Sequence, residues 1–441
     1  MSVEIKLVVQ CHDSKSGKLL EEEVILNDKI NKAMTLKELG YLHSEQIAIL
    51  EKVQNFKIKH QMALQPPLIC PKCGKKARKS GMYTGIFHAA LTDHRIPVQR
   101  MLCPCGWISG SSIEGIYGSS MHPDLLAKQA IQGSKESYAK ASRNLDAESA
   151  KKRAINSHSQ IYKSVQCVAQ TLEKIRCSDS YGQKAEPAEE LTVNIDGGHI
   201  KARGDNRSFE AMVATVHRPN NVTNVNKSHN KITSKTAVAS AKDDRQGTIK
   251  KLIKSACRAQ GMTELTVVTC LADGAENCWS IAHSIASDCK KITYILDWFH
   301  IGMKFKNISI PPEHTKLYEK VKWHLWHGKP KTSLMRLNQL KELIEEESTL
   351  SKLKKLETYI TNNEHGIINY GSRKRKGLCY TSQLAESTVN SLINDRQKGK
   401  QKMLWSREGA HNILQIRSSS LSHTWKSDWQ KVERELYQVA A

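Results

Sequence analysis

The alternation of apolar and polar residues divides the chain into strand-like and helix-like segments. The opening runs EIKLVV and EEVILN alternate at period two, which predicts two short strands. The next stretch, LHSEQIAILEKVQNFKIKHQMA, has apolar residues at helical spacing, and Pro66 and Pro67 end it. Residues 1–66 are therefore predicted to form an α+β region.

A second helical pattern occupies residues 122–176, and the polar linker 177–190 closes it. Asp146 is a residue type that often caps the start of a helix, so a turn and a new helix are predicted there. Residues 116–180 are therefore predicted to contain a helix-turn-helix. Its second helix would present basic and amide side chains to a DNA groove, namely Lys151, Lys152, Arg153, Asn156 and Ser157. An ordinary helical hairpin fits the same pattern equally well.

Strands and helices alternate beyond the linker, which is typical of an α/β sheet. LTVNIDGGHIKAR predicts a strand with Asp196 at its centre, and RSFEAMVATVHRP predicts a second strand. A helix ending at Gly261 precedes the apolar strand LTVVTCLADGA, which contains Asp273. KITYILDWFHI predicts one more strand, with Asp297 and His300 at its end, and a helical pattern follows.

Composition narrows the choice of partner. The 441 residues are enough for several domains, and 67 Lys and Arg against 44 Asp and Glu give a net charge of +23. Such a surplus favours nucleic acid as the partner, with a merely basic enzyme as the alternative. No apolar run approaches the roughly 20 residues that span a bilayer, and the first residues do not resemble a signal peptide. We therefore expect a cytoplasmic, nucleoid-associated protein.

Two of the cysteine groups have the spacing of metal ligands. Cys70 and Cys73 form a CxxC turn, and Cys103 and Cys105 form a CxC turn, each followed by glycine. Four thiolates from two turns can close a tetrahedral zinc site, so residues 67–115 are predicted to form a zinc ribbon with a structural role. Four incidental thiols, or a site in which His88 or His94 replaces one cysteine, are the alternatives.

Asp196 and Asp273 are the candidate catalytic carboxylates. Side chains at the ends of neighbouring strands converge on a cleft in α/β sheets, so both are expected to bind Mg²⁺ or Mn²⁺ together. Such a site supports phosphoryl transfer. An Asp that caps a loop before glycine is the alternative for Asp273. Glu386 is the expected third carboxylate, on a predicted helix that starts at Ser382.

Basic clusters flank Glu386 in the sequence and are predicted to bind phosphates. They comprise Arg373, Lys374, Arg375 and Lys376 before it, and Arg396, Lys398, Lys400 and Lys402 after it. Trp405 is predicted to stack on an unpaired base. A solvated charged face is the alternative for the basic residues.

Four motifs together resemble bacterial insertion-sequence transposases of the DDE class that carry an N-terminal zinc ribbon, with mutator-like elements as distant relatives. The motifs are NIDGG, LADGAENCW, ILDWFHIGMK and SQLAESTVNSLI…KQKMLWSREGAHNILQIR. The resemblance implies a multidomain α/β protein with an RNase H-like core, preceded by the zinc ribbon and the helix-turn-helix. The core would comprise residues 188–300 and 372–441, interrupted by a helical insertion at 301–371.

The resemblance also implies a function and a site. Its triad is Asp196, Asp273 and Glu386, which would hold Mg²⁺ or Mn²⁺ for cleavage of element ends and strand transfer into target DNA. Asp297 is the rival for the second position. Mutator-like relatives have a Cys/His motif at the DWFH strand, whereas this chain keeps only the histidine, His300. The roles of Asp297 and His300 therefore stay open. The implied partners are double-stranded DNA, comprising inverted repeats and target, and a second copy of the chain. A nuclease of the same fold and a non-catalytic DNA-binding descendant are the alternatives.

Overall fold

The computed structural model describes residues 3–33, 35–64, 69–109, 113, 117–149, 151–204, 207–226, 229–382, 387–388, 390–398 and 403–437. The chain forms two compact units. The first comprises Met1–Val168 with Gln430–Ala441, and the second comprises Ala169–Trp429.

The first unit contains two antiparallel hairpins and the helices that accompany them. The hairpins are β1 (Val3–His12) with β2 (Leu19–Ile30), and β3 (Arg78–His88) with β4 (Asp93–Leu102). Helix α1 (His43–Ala63) lies between them in sequence, as the apolar spacing predicts. Its Ile58 joins a small buried cluster with Ile96 and Val98 of β4. Apolar side chains of α1 and β4 therefore hold the second hairpin against the helix.

The helical region after this hairpin differs from the prediction. Helices α2 (Pro123–Lys135), α3 (Tyr138–Ala147) and α4 (His158–Arg176) are present, but no α-helix begins at Asp146. Asp146 lies at the end of α3, and its carboxylate accepts hydrogen bonds from the Arg153 backbone (3.2 Å) and the Asn156 amide (2.8 Å). The carboxylate thus closes a loop before α4 instead of starting a helix. The residues predicted on the second helix of the helix-turn-helix lie in this segment, which contains a short 3-10 turn at Ala154–Asn156.

The second unit contains a five-stranded mixed sheet in the order β11-β10-β5-β6-β9. Its strands are β5 (Glu190–Lys201), β6 (Ser208–His217), β9 (Thr236–Ser240), β10 (Val267–Ala272) and β11 (Lys291–Leu296). β5, β10 and β11 are parallel to one another, whereas β6 is antiparallel to both β5 and β9. A small hairpin, β7 (Val222–Asn226) with β8 (His229–Ile232), lies between β6 and β9 in the sequence.

Helices cover the sheet because its central strands are apolar on both faces. Val268, Cys270 and Leu271 of β10 are fully buried, as expected for a parallel strand within an α/β sheet. Helix α5 (Gly247–Ala259) precedes β10, and α6 (Glu276–His283) connects β10 to β11. Buried side chains of both helices, including Leu252 and Ile281, belong to the same core cluster as these strands.

The helical region after β11 packs on the same core. It comprises α7 (Trp298–Lys306), α8 (Thr315–Trp326), α9 (Pro330–Glu342), α10 (Glu347–Asn362) and α11 (Tyr370–Arg375). Val321, Leu337 and Leu356 are buried in the core that also contains the strands. Residues 301–371 are therefore mainly helical. Within the described ranges, no helix is both long and apolar enough to cross a membrane.

The C-terminal segments complete the chain. A π-helical turn at Asn390–Asn394 leads into a short helical turn at Asp395–Gln397. Helix α12 (Arg407–Leu421) then packs along the edge strand β9, where the Gln415 side chain donates a hydrogen bond to the Ala239 carbonyl (2.8 Å). Helix α13 (Trp425–Tyr437) follows.

Candidate functional site

The four predicted zinc ligands lie together. The thiol sulfurs of Cys70, Cys73, Cys103 and Cys105 all lie within 4.8 Å of one another. Cys70 Sγ is 3.5 Å from Cys105 Sγ, and Cys73 Sγ is 3.4 Å from Cys103 Sγ. A tetrahedral zinc ion with Zn–S bonds of about 2.3 Å separates its sulfurs by about 3.8 Å. This cluster can therefore hold a metal such as zinc.

The backbone of both turns is shaped for this cluster. Gly74 and Gly106 have φ angles of +71° and +86°, which side-chain-bearing residues rarely adopt. The Gly74 amide donates to the Cys70 carbonyl and the Gly106 amide donates to the Cys103 carbonyl, both at 2.9 Å. A hydrogen bond from the Trp107 amide lowers the pKa of the Cys105 thiol to about 7, which favours the thiolate that binds metal.

The two histidines considered as substitutes have other partners. His88 Nδ1 lies 2.8 Å from a carboxylate oxygen of Asp93, and His94 Nδ1 lies 2.5 Å from the side-chain oxygen of Asn55. Neither belongs to the sulfur cluster. The four-cysteine prediction is thus confirmed as a candidate metal centre.

The candidate catalytic carboxylates follow register-matched residues of neighbouring strands. In the parallel ladders, Ala272 of β10 pairs with Ile195 of β5 on one side and with Leu296 of β11 on the other. The next residue on each strand is an aspartate, so Asp196, Asp273 and Asp297 form one row across three adjacent strands. Asp273 and Asp297 stand at carboxyl ends, where parallel strands open onto a cleft.

Asp196 is a partly buried member of the row with a raised pKa. Its side chain is 24% exposed, and Oδ1 accepts a hydrogen bond from the Gly197 amide (2.8 Å). Burial raises the pKa of Asp196, and the negative charges of Asp273 and Asp297 raise it further, whereas His300 lowers it. A carboxylate with this environment is stabilised by any cation that enters the row.

Asp273 is held at its strand end by two hydrogen bonds. Its Oδ1 accepts from the Ala275 amide (2.8 Å), the arrangement expected of an Asp that starts a turn. Its backbone carbonyl accepts from the Tyr359 hydroxyl of α10 (2.8 Å). Tyr370 makes the equivalent bond to the Leu296 carbonyl (2.8 Å). Tyrosines from the helical region therefore fix the ends of β10 and β11, a feature that the sequence pattern did not indicate.

Asp297 has a different environment from the other two. It is 1% exposed and caps α7, where Oδ1 accepts from the Phe299 amide (3.1 Å). The same oxygen accepts from the Ser382 amide (2.8 Å), and Oδ2 accepts from the Ser382 hydroxyl. These donors occupy both carboxylate oxygens. Asp297 therefore anchors the chain at Ser382 and caps a helix, which is a structural use of the charge.

His300 lies one helical turn beyond Asp297 and faces the same row. Its Nε2 is 3.6 Å from Asp297 Oδ2 and 4.0 Å from Asp196 Oδ1. Its side chain is 27% exposed. This histidine thus connects the anchoring carboxylate with the first candidate metal ligand. Glu386, the predicted third ligand, lies outside the described residues, as do Lys400 and Lys402.

Arg153 is a correction to the predicted DNA-binding set. Only 1% of its side chain is exposed, and its guanidinium pairs with Asp93 (2.5 Å). The same group donates to the carbonyls of Ala89 (2.8 Å), Ala90 (3.1 Å) and Thr92 (3.1 Å). Arg153 therefore ties the loop before α4 to the β3–β4 turn, and its burial keeps it from contacting DNA. Lys151 and Lys152 are exposed, though on this loop rather than on a helix.

Trp405 and Arg396 are a second correction. Trp405 is 6% exposed and Arg396 is 4% exposed, and the guanidinium lies 4.8 Å from the indole ring centre. The backbone of Trp405 bonds with Lys201 and Arg203 at the end of β5. Both side chains are therefore part of the packing, and Trp405 cannot stack on a base. The basic residues around Trp405 in the sequence suggested a surface position, but the indole packs against the Arg396 guanidinium instead.

The remaining basic residues keep the expected surface position. Lys374, Arg375, Lys376 and Lys398 are exposed. Arg373 is half-buried, and its Nε donates to the Cys379 carbonyl (2.8 Å). The structure also contains an exposed tryptophan, Trp323 of α8, which is 53% exposed. Trp323 belongs to the sequence VKWHLWHGK, in which aromatic and basic residues alternate closely. This composition is a signal from which an exposed aromatic residue could have been predicted.

Comparison with known proteins gives one result. The model of an uncharacterised protein family, UPF0236, matches residues 122–435, which include the carboxylate row but not the cysteine cluster. A search of curated proteins found no match. Because the matched range spans more than half of the 441 residues, the chain belongs to the uncharacterised protein family UPF0236.

Proposed function

We propose that this protein is a DDE transposase that cleaves DNA at insertion-sequence ends and transfers the strands into target DNA. The observation that carries the proposal is the pair Asp196 and Asp273, which follow register partners on two adjacent parallel strands. A net charge of +23 supports a polyanionic substrate.

The order of elements supports an RNase H-like interpretation of the second unit. An acidic first strand, an antiparallel meander, a helix and a parallel acidic strand are expected of such a core. Here β5 carries Asp196, β6 and β9 form the meander, α5 follows, and β10 leads to Asp273. The helices α7–α11 then occupy the place expected for the insertion before the last acidic residue.

The donor set suits a hard divalent cation. Asp196 and Asp273 offer carboxylate oxygens, the ligands that Mg²⁺ and Mn²⁺ prefer, and one oxygen of each is oriented by a backbone amide. Glu386 is the proposed third ligand. A divalent cation bound there would lower the pKa of a water or 3′-hydroxyl nucleophile and stabilise the departing oxygen.

The chain's own residues have separate parts in this mechanism. Asp196 and Asp273 would hold a divalent cation that neutralises charge on the reacting phosphate. Asp297 keeps the chain at Ser382 next to the strand ends through two hydrogen bonds. Exposed cations on either side of the predicted Glu386 helix, among them Lys374 and Lys398, would bind the flanking phosphates. The cysteine cluster has four sulfur ligands and no open position, so its role is structural.

The experiment is an assay of the purified full chain on labelled duplexes that carry the ends of its genetic element, with target DNA, in Mg²⁺, Mn²⁺ or EDTA. Metal-dependent cleavage with covalent joining to the target is the expected result. Cleavage without joining in both metals would identify a nuclease on the same fold. Binding without cleavage in either metal would identify a non-catalytic DNA-binding protein and overturn the proposal.

A further inference from the structure

Helix α8 presents an aromatic side chain to solvent within a stripe of positive charge. Trp323 is 53% exposed. Lys316 and Lys320 precede Trp323 by seven and three residues, so the three share one helix face. His327, four residues after Trp323, follows the last residue of the helix and continues this face. The opposite face carries the residues buried in the core, Val321 and Leu325. The stripe is therefore directed away from the core.

Cations of the adjoining helix extend this charge. Lys329 and Lys331, at the start of α9, are exposed. Burial lowers the pKa of His324, and the charges of Arg336, Lys329, His327 and Lys320 lower it further, which places cations of both helices around one side chain. Helix α8 contains a single acidic residue, Glu319.

These lysines have no carboxylate partner among the described residues. The described ion pairs within 4.0 Å include none with Lys316, Lys320, Lys322, Lys329 or Lys331. Unpaired cations grouped on one face repel one another and raise the free energy of the folded state unless an anion binds. The face thus favours an anionic partner.

The stripe is close to the strand end that carries Asp297. Trp326, three residues along α8 from Trp323, packs against Trp298 with ring centres 4.7 Å apart. Trp298 directly follows Asp297 in the chain. Helix α8 is therefore packed against the segment that directly follows the carboxylate row.

We propose that the face of α8 defined by Lys316, Lys320, Trp323 and His327 binds a nucleic acid strand that contains an unpaired base. The lysines contact phosphates, and Trp323 stacks on the base. An exposed indole offers a stacking surface that every base can use, whereas paired bases are already stacked on both sides. An acidic protein segment would use the lysines but would gain little from the indole. The inference rests on the proposed function only in that a transposase would take this strand from the DNA that it cleaves or joins.

The test is binding of the full chain to labelled oligonucleotides in EDTA, measured by fluorescence anisotropy. The probes are a single strand, the matched duplex, and a duplex with one unpaired base. Trp323→Ala is expected to weaken binding of the single strand and the unpaired-base duplex by about 5- to 150-fold, and of the plain duplex far less. Trp323→Phe should restore most of this affinity. Met335→Ala, which changes another exposed apolar residue (50%) on α9, is the control and should change nothing.

The lysines have their own readout. Lys316→Gln and Lys320→Gln are each expected to reduce the salt dependence of single-strand binding by about 0.7 in the slope of log K against log salt. Equal losses for all three probes on Trp323→Ala, or no loss, would overturn the proposal. So would tight binding of a polyglutamate peptide that also depends on Trp323. Because EDTA removes divalent cations, this result is independent of whether the carboxylates prove catalytic.

Discussion

Asp196 and Asp273 occupy equivalent positions on neighbouring strands, because Ile195 and Ala272, the residues before them, are register partners in the parallel ladder of β5 and β10. Two carboxylates in such positions repel each other when both are ionised. The raised pKa of Asp196, caused first by burial and then by Asp273 and Asp297, expresses this repulsion. The grouped carboxylates therefore raise the free energy of the folded state, and such destabilising charge is typical of functional sites.

Removal of the Asp196 charge should stabilise the metal-free protein. The folded-state pKa of Asp196 lies above its ordinary value of 3.8, so the folded state binds more protons and stability falls as pH rises through that window. Asp196→Asn removes this penalty at pH 7. We expect its Tm in EDTA to exceed that of the wild type by a degree or more, and Mg²⁺ to raise the Tm of the wild type but not of this variant.

Asp179→Asn is the matched control for this measurement, because Asp179 is fully exposed. It should leave both the Tm and the Mg²⁺ response unchanged. A lower Tm for Asp196→Asn in EDTA would show that the carboxylate stabilises the fold, which would contradict our account of the site.

Loss of the Arg153 side chain should destabilise the first unit. Arg153→Ala would remove the guanidinium that donates to Asp93 and to three carbonyls of the β3–β4 turn, at a cost of about 3–5 kcal/mol. Lys152→Ala changes an exposed neighbour and should cost less than about 0.5 kcal/mol. Urea denaturation of the full chain, monitored by circular dichroism, measures both. A stable Arg153→Ala protein with weakened DNA binding would restore the recognition-helix interpretation.

The same ion pair predicts a pH dependence. Burial alone would raise the pKa of Asp93, but hydrogen bonds from His88 and Arg153 lower it to about 2. The pair's stabilisation is therefore complete above pH 3.8 and disappears as pH falls toward 2. Arg153→Ala should lose part of this acid sensitivity, because His88 still donates to Asp93. An unchanged acid transition in the variant would show that other groups cause it.

The cysteine cluster predicts one zinc ion per chain. Cys73→Ser should lower the zinc content of the purified protein, measured by atomic emission, from about one equivalent toward zero. It should also lower the stability of the first unit, since the two turns are joined through the metal. Cys11→Ser, which changes a cysteine of β1 outside the cluster, should retain zinc. Full zinc content in Cys73→Ser would contradict the four-sulfur site.

The Asp297–Ser382 contact predicts a stability effect without direct chemistry. Ser382→Ala removes the hydroxyl that donates to Asp297 Oδ2 and should cost about 1.5–3 kcal/mol, because the acceptor is charged and buried. Ser382→Thr keeps the hydroxyl and should recover most of the loss. Ser287→Ala removes an exposed serine–aspartate bond of 2.7 Å and should cost under about 0.5 kcal/mol. Equal effects of the two alanine variants would contradict the anchoring role.

Residue types and short-range periodicity predicted much of this structure. The cysteine turns, the strands that lead to Asp196, Asp273 and Asp297, and the helix ending near Gly261 follow from local patterns. Each depends on residues that are adjacent in sequence, and spacing records such relations directly.

The errors came from contacts between distant residues. Arg153 and Trp405 were predicted at the surface because their sequence neighbours are polar. In the structure Arg153 is buried in a pair with Asp93, and Trp405 is buried against Arg396. The use of Asp297 was equally hidden, because Ser382 lies 85 positions further along the chain. Basic composition cannot separate a surface cation from one that has a buried partner, whereas tertiary contacts can.

The most direct measurement compares Asp273→Asn with Asp297→Asn in the cleavage and strand-transfer assay. We expect Asp273→Asn to abolish both steps in Mg²⁺ while DNA binding in EDTA stays at the wild-type level. Asp297→Asn should reduce the rates and the Tm together, because it weakens the contacts to Ser382 and the cap of α7. The reverse pattern, with Asp297→Asn inactive at full stability and Asp273→Asn active, would place the second metal ligand on β11 and contradict the central claim.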